Sequence, residues 1–166
     1  MRALRFLAAA LAAPLLLAAC GGGGDSVANP PISSATSSSP TKPPKHESPE
    51  HFIRRFYAAE KAMENTGATR AYEGMTRACK PCSALVSRDH SIYNSGGFIH
   101  WGGLTIRSIT TSGHTYTVSF DARPTKYRET QSGPIKSLPG GVSTDLLTLR
   151  QSSHGWTVTA RARTSS

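Results

Sequence analysis

The chain has 166 residues, with 11 Pro, 15 Gly, 3 Cys and a formal net charge of +9. That length holds one domain of ordinary size and excludes a multidomain enzyme. Hydrophobic residues make up 37% and aromatic ones 7%, low for a compact domain, so part of the chain is expected to lie outside any core.

Arg2 and Arg5 form a positive n-region, and Phe6 to Leu17 is a nearly unbroken apolar run. At about a dozen residues it is too short for the roughly 20 that span a bilayer, and it reads as an export signal. It ends in Leu17-Ala18-Ala19-Cys20, the large-small-small-Cys pattern of a bacterial lipobox. Residues 1–19 are therefore expected to be a lipoprotein signal peptide, with Cys20 acylated and palmitate among its lipids. At about 0.8 kcal/mol per buried methylene, two acyl chains attach stably where one is marginal. The expected location is the extracytoplasmic face of the cell membrane. Residues 20–47, rich in Gly, Ser, Thr and Pro, have almost nothing to bury and are predicted to be a disordered tether. A coil of roughly 27 residues spans about 30 Å root-mean-square, or up to about 80 Å if stiffened by proline. Asp25 and Glu47 cancel Lys42 and Lys45, so the basic character belongs to the single domain predicted over 48–166.

Ser48-Pro49-Glu50 is a helix opening: a capping serine, a proline with the φ wanted at the first position, and an acid at the positive end of the dipole. Phe52, Phe56, Ala59 and Met63 follow at helical spacing with Ile53 and Tyr57 beside them, and Gly67 is a left-handed stop. Shorter helical pieces are expected from Thr69 to Met75 and from Pro81 to Asn94, the latter burying Cys82, Leu85, Val86, Ile92 and Tyr93. Between them, Cys79-Lys80-Pro81-Cys82 reads as a structural disulfide, a redox pair or half a zinc site. An exported chain favours the disulfide. A redox motif normally follows a buried strand, and a zinc site lacks a second cysteine pair.

After Gly97 the period changes from 3.6 to 2. Strands are predicted at Phe98 to Trp101, Leu104 to Thr111, His114 to Ala122, Ser143 to Gln151 and Gly155 to Ala162, with Gly102-Gly103, Ser112-Gly113 and Ser153-His154-Gly155 as hairpin turns. Tyr116, Val118, Phe120 and Ala122 share one face, as do Trp156, Val158, Ala160 and Ala162. Lys126 to Gly141, with its prolines and glycines, reads as a long loop with a short edge strand. Helices first and an antiparallel meander afterwards predict an α+β fold, with N-terminal helices packed on a curved antiparallel sheet.

The lipobox and tether, the SPEHFIRRFYAAEKAMENTGATRAYEGMTRACKPC block and the GGFIHWGG turn resemble the actinobacterial lipoproteins of the domain of unknown function 6318 family. The resemblance covers the anchor and about Ser48 to Ile109. That family has no assigned catalytic residues, so the resemblance implies an anchored envelope protein and no chemistry. The layout is similar to the NTF2-like/SnoaL-like (cystatin-like) roll, an analogy of shape.

Residues 104–166 carry 8 Lys/Arg against 3 Asp/Glu, so the sheet half is the basic one. Alternation places Arg107, Arg161 and Arg163 opposite the apolar side chains, with Arg150 beside them, as a candidate basic face for anionic lipid or wall polymers. Asp145 has the parity of Leu147 and Leu149 and is expected to point inward, where Tyr57, Tyr93 and His100 are candidate pocket partners. His51, His90, His114 and His154 share no metal-ligand spacing, and no GxSxG, HExxH or phosphate loop occurs. No metal, cofactor or nucleic-acid partner is predicted. The favoured reading is a non-enzymatic accessory protein of the cell envelope that binds a small apolar ligand or a protein partner. The alternatives are a small SnoaL-like pocket enzyme using Asp145 and an electrostatic binder of anionic envelope polymers.

Overall fold

The computed structural model describes residues 47–165. The signal, Cys20 and the tether up to residue 46 lie outside them. Helix α1 (Pro49–Thr66) begins where Ser48 Oγ accepts the His51 N–H at 3.2 Å, and it ends at Gly67, whose φ is 72°. A side chain at Gly67 would be strained by that φ, and its Cβ would also come within 2.7 Å of the Tyr93 ring, so glycine is required twice over. Helix α1 buries Phe52, Ile53, Phe56, Tyr57 and Met63, and on the same stripe Glu60 and Glu64. A single turn, α2 (Arg70–Glu73), buries Tyr72 and leads to α3 (Lys80–Asn94), which buries Cys82, Val86, Asp89 and Ile92. Among the described residues no helix is long and apolar enough to cross a membrane.

Seven strands follow: β1 (Gly96–Trp101), β2 (Leu104–Ser112), β3 (Thr115–Ala122), β4 (Thr125–Thr130), β5 (Lys136–Leu138), β6 (Gly141–Ser152) and β7 (Gly155–Ser165). They form two antiparallel sheets, β1-β4-β5 and β2-β3-β6-β7. The α+β class is as the sequence indicates, but the meander is divided. Gly102-Gly103 is not a hairpin turn, because β1 pairs with β4 and β2 pairs with β3. The segment expected as a long loop supplies β4 as well as the short edge strand β5. The chain changes sheets at Gly102-Gly103, at Arg123-Pro124 and at Pro139-Gly140, residues suited to breaking a ladder.

Two bulges bend the larger sheet. Opposite β3, Ile106 and Ser108 pair with consecutive residues, leaving Arg107 extra; opposite β6, Val158 and Ala160 do the same, leaving Thr159 extra. Each resets which residues face inward. At the second bulge the Val158 N–H donates to Met75 O and the Arg77 N–H donates to Val158 O, both at 2.9 Å, so the link between α2 and α3 covers the outer edge of β7. Phe52, Phe56, Tyr72, Val118, Phe120, Leu147, Leu149 and Val158 form the core between the helices and this sheet, while Ile92, Ile99 and Trp101 form a smaller cluster under β1. Each fully buried large side chain contributes about 1.5–3 kcal/mol.

Candidate functional site

A cavity of about 820 Å³ opens between the two sheets and the helices. The small sheet gives it Ile99, Trp101, Tyr127 and Leu138, the large sheet gives Phe120, Ala122, Val142 and Ser143, and α3 with its C-cap gives Ser91, Ile92 and Ser95. Its charged lining includes Glu60, Glu64, Arg88 and Arg163. Trp101 is held in place through its backbone: Asn65 Nδ2 donates to Trp101 O at 3.0 Å and the Trp101 N–H donates to Asn65 Oδ1 at 2.9 Å. Thus α1 occupies the free edge of β1.

Beneath the cavity lies an ion cluster that the bulge at Thr159 creates. Without the extra residue, Ala160 and Ala162 would continue the inward face; with it, Arg161 and Arg163 do. Arg161 reaches Glu60 through Nη1 at 2.7 Å and Nη2 at 3.1 Å, and donates from Nε to Asp145 Oδ2 at 2.9 Å. Arg163 donates to both Asp145 oxygens, at 2.8 and 3.1 Å, and the Tyr57 hydroxyl donates to Oδ2 at 2.9 Å. Burial by itself would raise the Asp145 pKa; the hydrogen bond from Arg163 and the charges of Arg161 and Arg163 outweigh it and hold the carboxyl below its ordinary value. Burial and then the Asp145 charge push the Tyr57 hydroxyl upward. Two arginines meet two carboxylates, so the cluster is neutral.

A second cluster joins α1 to α3. Arg88 Nη2 donates to Glu64 Oε1 at 2.9 Å and to Asp89 Oδ1 at 2.7 Å, while Asp89 Oδ2 is buried without a partner. Here two acids share one arginine. Burial pushes Glu64 up to about 7, with Arg88 opposing and the Glu60 and Asp89 charges adding to the rise. Asp89 is raised as well, chiefly by burial.

The residues expected in the pocket are distributed differently. Asp145 is fully buried and bonded to Tyr57, but it lies behind the cavity wall and does not line it. Tyr93 turns elsewhere, donating to Glu64 O at 2.7 Å. His100 is exposed on the outer face of β1, because residues of its parity point away from Ile99 and Trp101. The expected basic face does not exist as a unit. Arg161 has only 7% of its side chain exposed, Arg163 is half-exposed but tied to Asp145, Arg107 is the bulged residue and pairs with Asp121 at 2.6 Å, and of the four only Arg150 has no ion pair among the described residues. Cys79 and Cys82 are disulfide-bonded and buried at 2% and 0% exposure. The residues that sequence reasoning missed are Glu60, Glu64, Arg88 and Asp89. A signal was present: Glu60 follows Phe56 by four positions, and Asp89 follows Val86 by three, which places both acids on apolar stripes.

No protein-family model matches the chain, and no curated protein matches it. Solved structures share the layout. The intermembrane space region of the chloroplast protein ARC6 aligns with a TM-score of 0.49 at 12% identity, over 70% of this chain and 94% of that one. An NTF2-like protein with a cystatin-like fold from Novosphingobium aromaticivorans gives 0.43 at 18%, over 69% and 79%. An NTF2-like protein of unknown function from Shewanella oneidensis gives 0.42 at 13%, over 71% and 100%. These are likenesses of arrangement only.

Proposed function

We propose that the chain is a lipid-anchored protein of the bacterial cell envelope, akin to the actinobacterial lipoproteins it resembles in its residues, and that its domain binds a small, uncharged amphipathic molecule. The anchor reading rests on the lipobox at Cys20 and the tether behind it. The ligand reading rests on one observation, a cavity of about 820 Å³ with an aromatic and aliphatic wall over a floor in which Glu60, Glu64, Arg88 and Arg163 are already paired. Small-molecule sites are about 300–1,000 Å³, mostly apolar, with a few polar groups to fix orientation. The floor supports a neutral ligand: an anion would meet Glu60 and Glu64, and a cation would meet Arg88 and Arg163. A hydroxyl or carbonyl head can instead use Ser91, Ser95 and Ser143 while its body lies on Trp101 and Phe120. The reading is non-enzymatic. Asp145, the one inward acid the sequence suggests as a base, has its oxygens committed to Arg161, Arg163 and Tyr57.

The test is to purify the acylated protein from its native membranes and analyse solvent extracts by mass spectrometry. A neutral lipid-like molecule is expected to co-purify, to perturb Trp101 fluorescence on readdition, and to bind at least tenfold more weakly to Ala122→Phe, which narrows the cavity. An empty protein whose fluorescence responds to no neutral amphiphile would sink the ligand reading. The anchor is tested by radiolabelled palmitate, whose incorporation is expected to vanish in Cys20→Ser.

A further inference from the structure

Four cations outside any ion pair lie near one another at a place the sequence does not single out. Arg54, Lys61, Arg123 and Lys126 are all exposed, and none is in an ion pair among the described residues. The Gly102-Gly103 corner brings Lys61 and Arg123 together. A Cβ on Gly102 would come within 2.7 Å of the Arg123 side chain, and one on Gly103 within 2.8 Å of the Lys61 stem, so the two glycines let both stems pack against the backbone. On the outer face of the small sheet, Lys126 lies directly across from His100, and His100 and Lys61 line one shallow depression. A second depression, containing Arg54, continues from the first, sharing Ala58 and Lys61 with it. Among the described residues, no carboxylate lines either one.

We propose that this cationic groove along α1 and the corner docks the domain on an anionic phospholipid surface. The proposal rests on the anchor reading given above. Three features favour a membrane over a single bound phosphate or a free polymer. The cations are exposed rather than converging from a buried shell, so they suit many phosphates in a plane. Arg54 and Lys61 are seven residues apart on one helix, about 10 Å along its axis, which spreads the charge over several headgroups. The tether also joins at the start of the same helix: Glu47, the last residue expected in the tether, is fixed by Arg55 at 2.7 Å and accepts from Trp156 Nε1 at 2.9 Å. An acylated Cys20 would keep that point within about 80 Å of the bilayer, a tether long enough to let the groove reach the surface, where its cations act once they are within roughly a Debye length.

The experiment compares partition of the full chain between phosphatidylcholine vesicles and vesicles that also contain phosphatidylglycerol. The acylated N-terminus contributes equally to both vesicle types in every variant that keeps Cys20, so the ratio between the two vesicle types is read. Wild type should favour the anionic vesicles, and raising the salt should remove the preference. At about fivefold per charge, Lys61→Gln with Lys126→Gln should lower the ratio roughly twentyfold, with Arg150→Gln as a control expected to stay within twofold. Unchanged melting temperatures establish that the variants are folded. Equal partition by wild type, a double variant like wild type, or binding of a soluble glycerol-phosphate polymer without the vesicle preference would each overturn the proposal. The anchor is read separately: Cys20→Ser should reduce attachment to neutral vesicles and leave the anionic ratio intact.

Discussion

Glu60 and Glu64 sit one turn apart on α1, both buried and both bound to an arginine from another element, yet the clusters they belong to are built differently. Glu60 belongs to a cluster in which Arg161 and Arg163 balance two carboxylates and Tyr57 adds a third donor to Asp145. Glu64 belongs to one in which Arg88 alone serves two carboxylates and an Asp89 oxygen is orphaned. The first holds Asp145 below its ordinary pKa, whereas the second lifts Glu64 to about 7. Burial is common to both. What differs is the number of donors, and that decides whether a buried acid is locked as an anion or takes up a proton.

The balanced cluster should be the costlier one to break. Arg161→Met leaves Glu60 and Asp145 buried with only Arg163 nearby, a loss of about 3–5 kcal/mol by the usual cost of an uncompensated buried charge. Urea unfolding should report it as a fall in midpoint. A loss under about 1 kcal/mol would mean that the carboxylates find water or protons without disturbing the core.

This cluster also marks where the sequence stops being legible. The caps of α1, the stop at Gly67, the inward parity of Val118 and Phe120, and the hairpin turns are local properties of neighbouring residues and can be read directly. Arg161 and Arg163 cannot, because their side depends on Thr159, and that bulge coincides with backbone hydrogen bonds in which Val158 donates to Met75 and accepts from Arg77, some eighty positions away. The strand β4 was hidden for a related reason. Its inward residues Thr125 and Tyr127 line a cavity rather than a packed core, so its alternation lacks the apolar side that announces a strand. Glu60 and Asp89 were visible as acids on apolar stripes, but their partners come from β7 and from the adjacent Arg88, and no spacing rule links them.

The two clusters should set opposite limbs of the pH–stability curve. Glu64 has a folded pKa raised above its unfolded value, so the folded state binds more protons between about 4.5 and about 7, and stability falls as pH rises across that window. At about 1.4 kcal/mol per unit, discounted for the flexibility of Arg88, the fall should be about 2 kcal/mol. Asp145 works the other way. Its lowered pKa contributes stability that is present above the ordinary value of 3.8 and is lost as pH falls below it. Chemical denaturation from pH 3 to 8 should therefore show a maximum at about pH 4, between the two windows, a trace in which Glu64→Gln flattens only the neutral limb. A neutral limb unchanged in that variant would assign the titration elsewhere.

The disulfide tests whether the second cluster depends on where α3 begins. Cys79 caps α3 and Cys82 lies in its first turn, whereas Glu60, Asp145, Arg161 and Arg163 lie on α1, β6 and β7. A loop this short contributes about 2 kcal/mol by restricting the unfolded chain. Cys79→Ser should lose about that much and broaden the neutral limb, leaving the acid limb in place. With both sulfurs buried, insulin reduction by wild type is expected to be absent, and its presence would restore the redox reading.

The smallest effect should come from Asp89→Asn, and it separates donor count from burial most cleanly. The substitution keeps the size and the depth of the side chain but removes one of the two charges that Arg88 serves, and the amide can still accept the Arg88 hydrogen bond through its oxygen. Glu64 then has the arginine to itself and loses a repulsive neighbour, so its pKa should fall from about 7 toward the ordinary carboxylate range, as followed by NMR titration. Stability at neutral pH should change by under about 1 kcal/mol, since one buried charge is removed while an arginine hydrogen bond is weakened. If Glu64 instead keeps its raised pKa, burial alone accounts for the shift, and the contrast between the two clusters lies in depth rather than in how many arginines each contains.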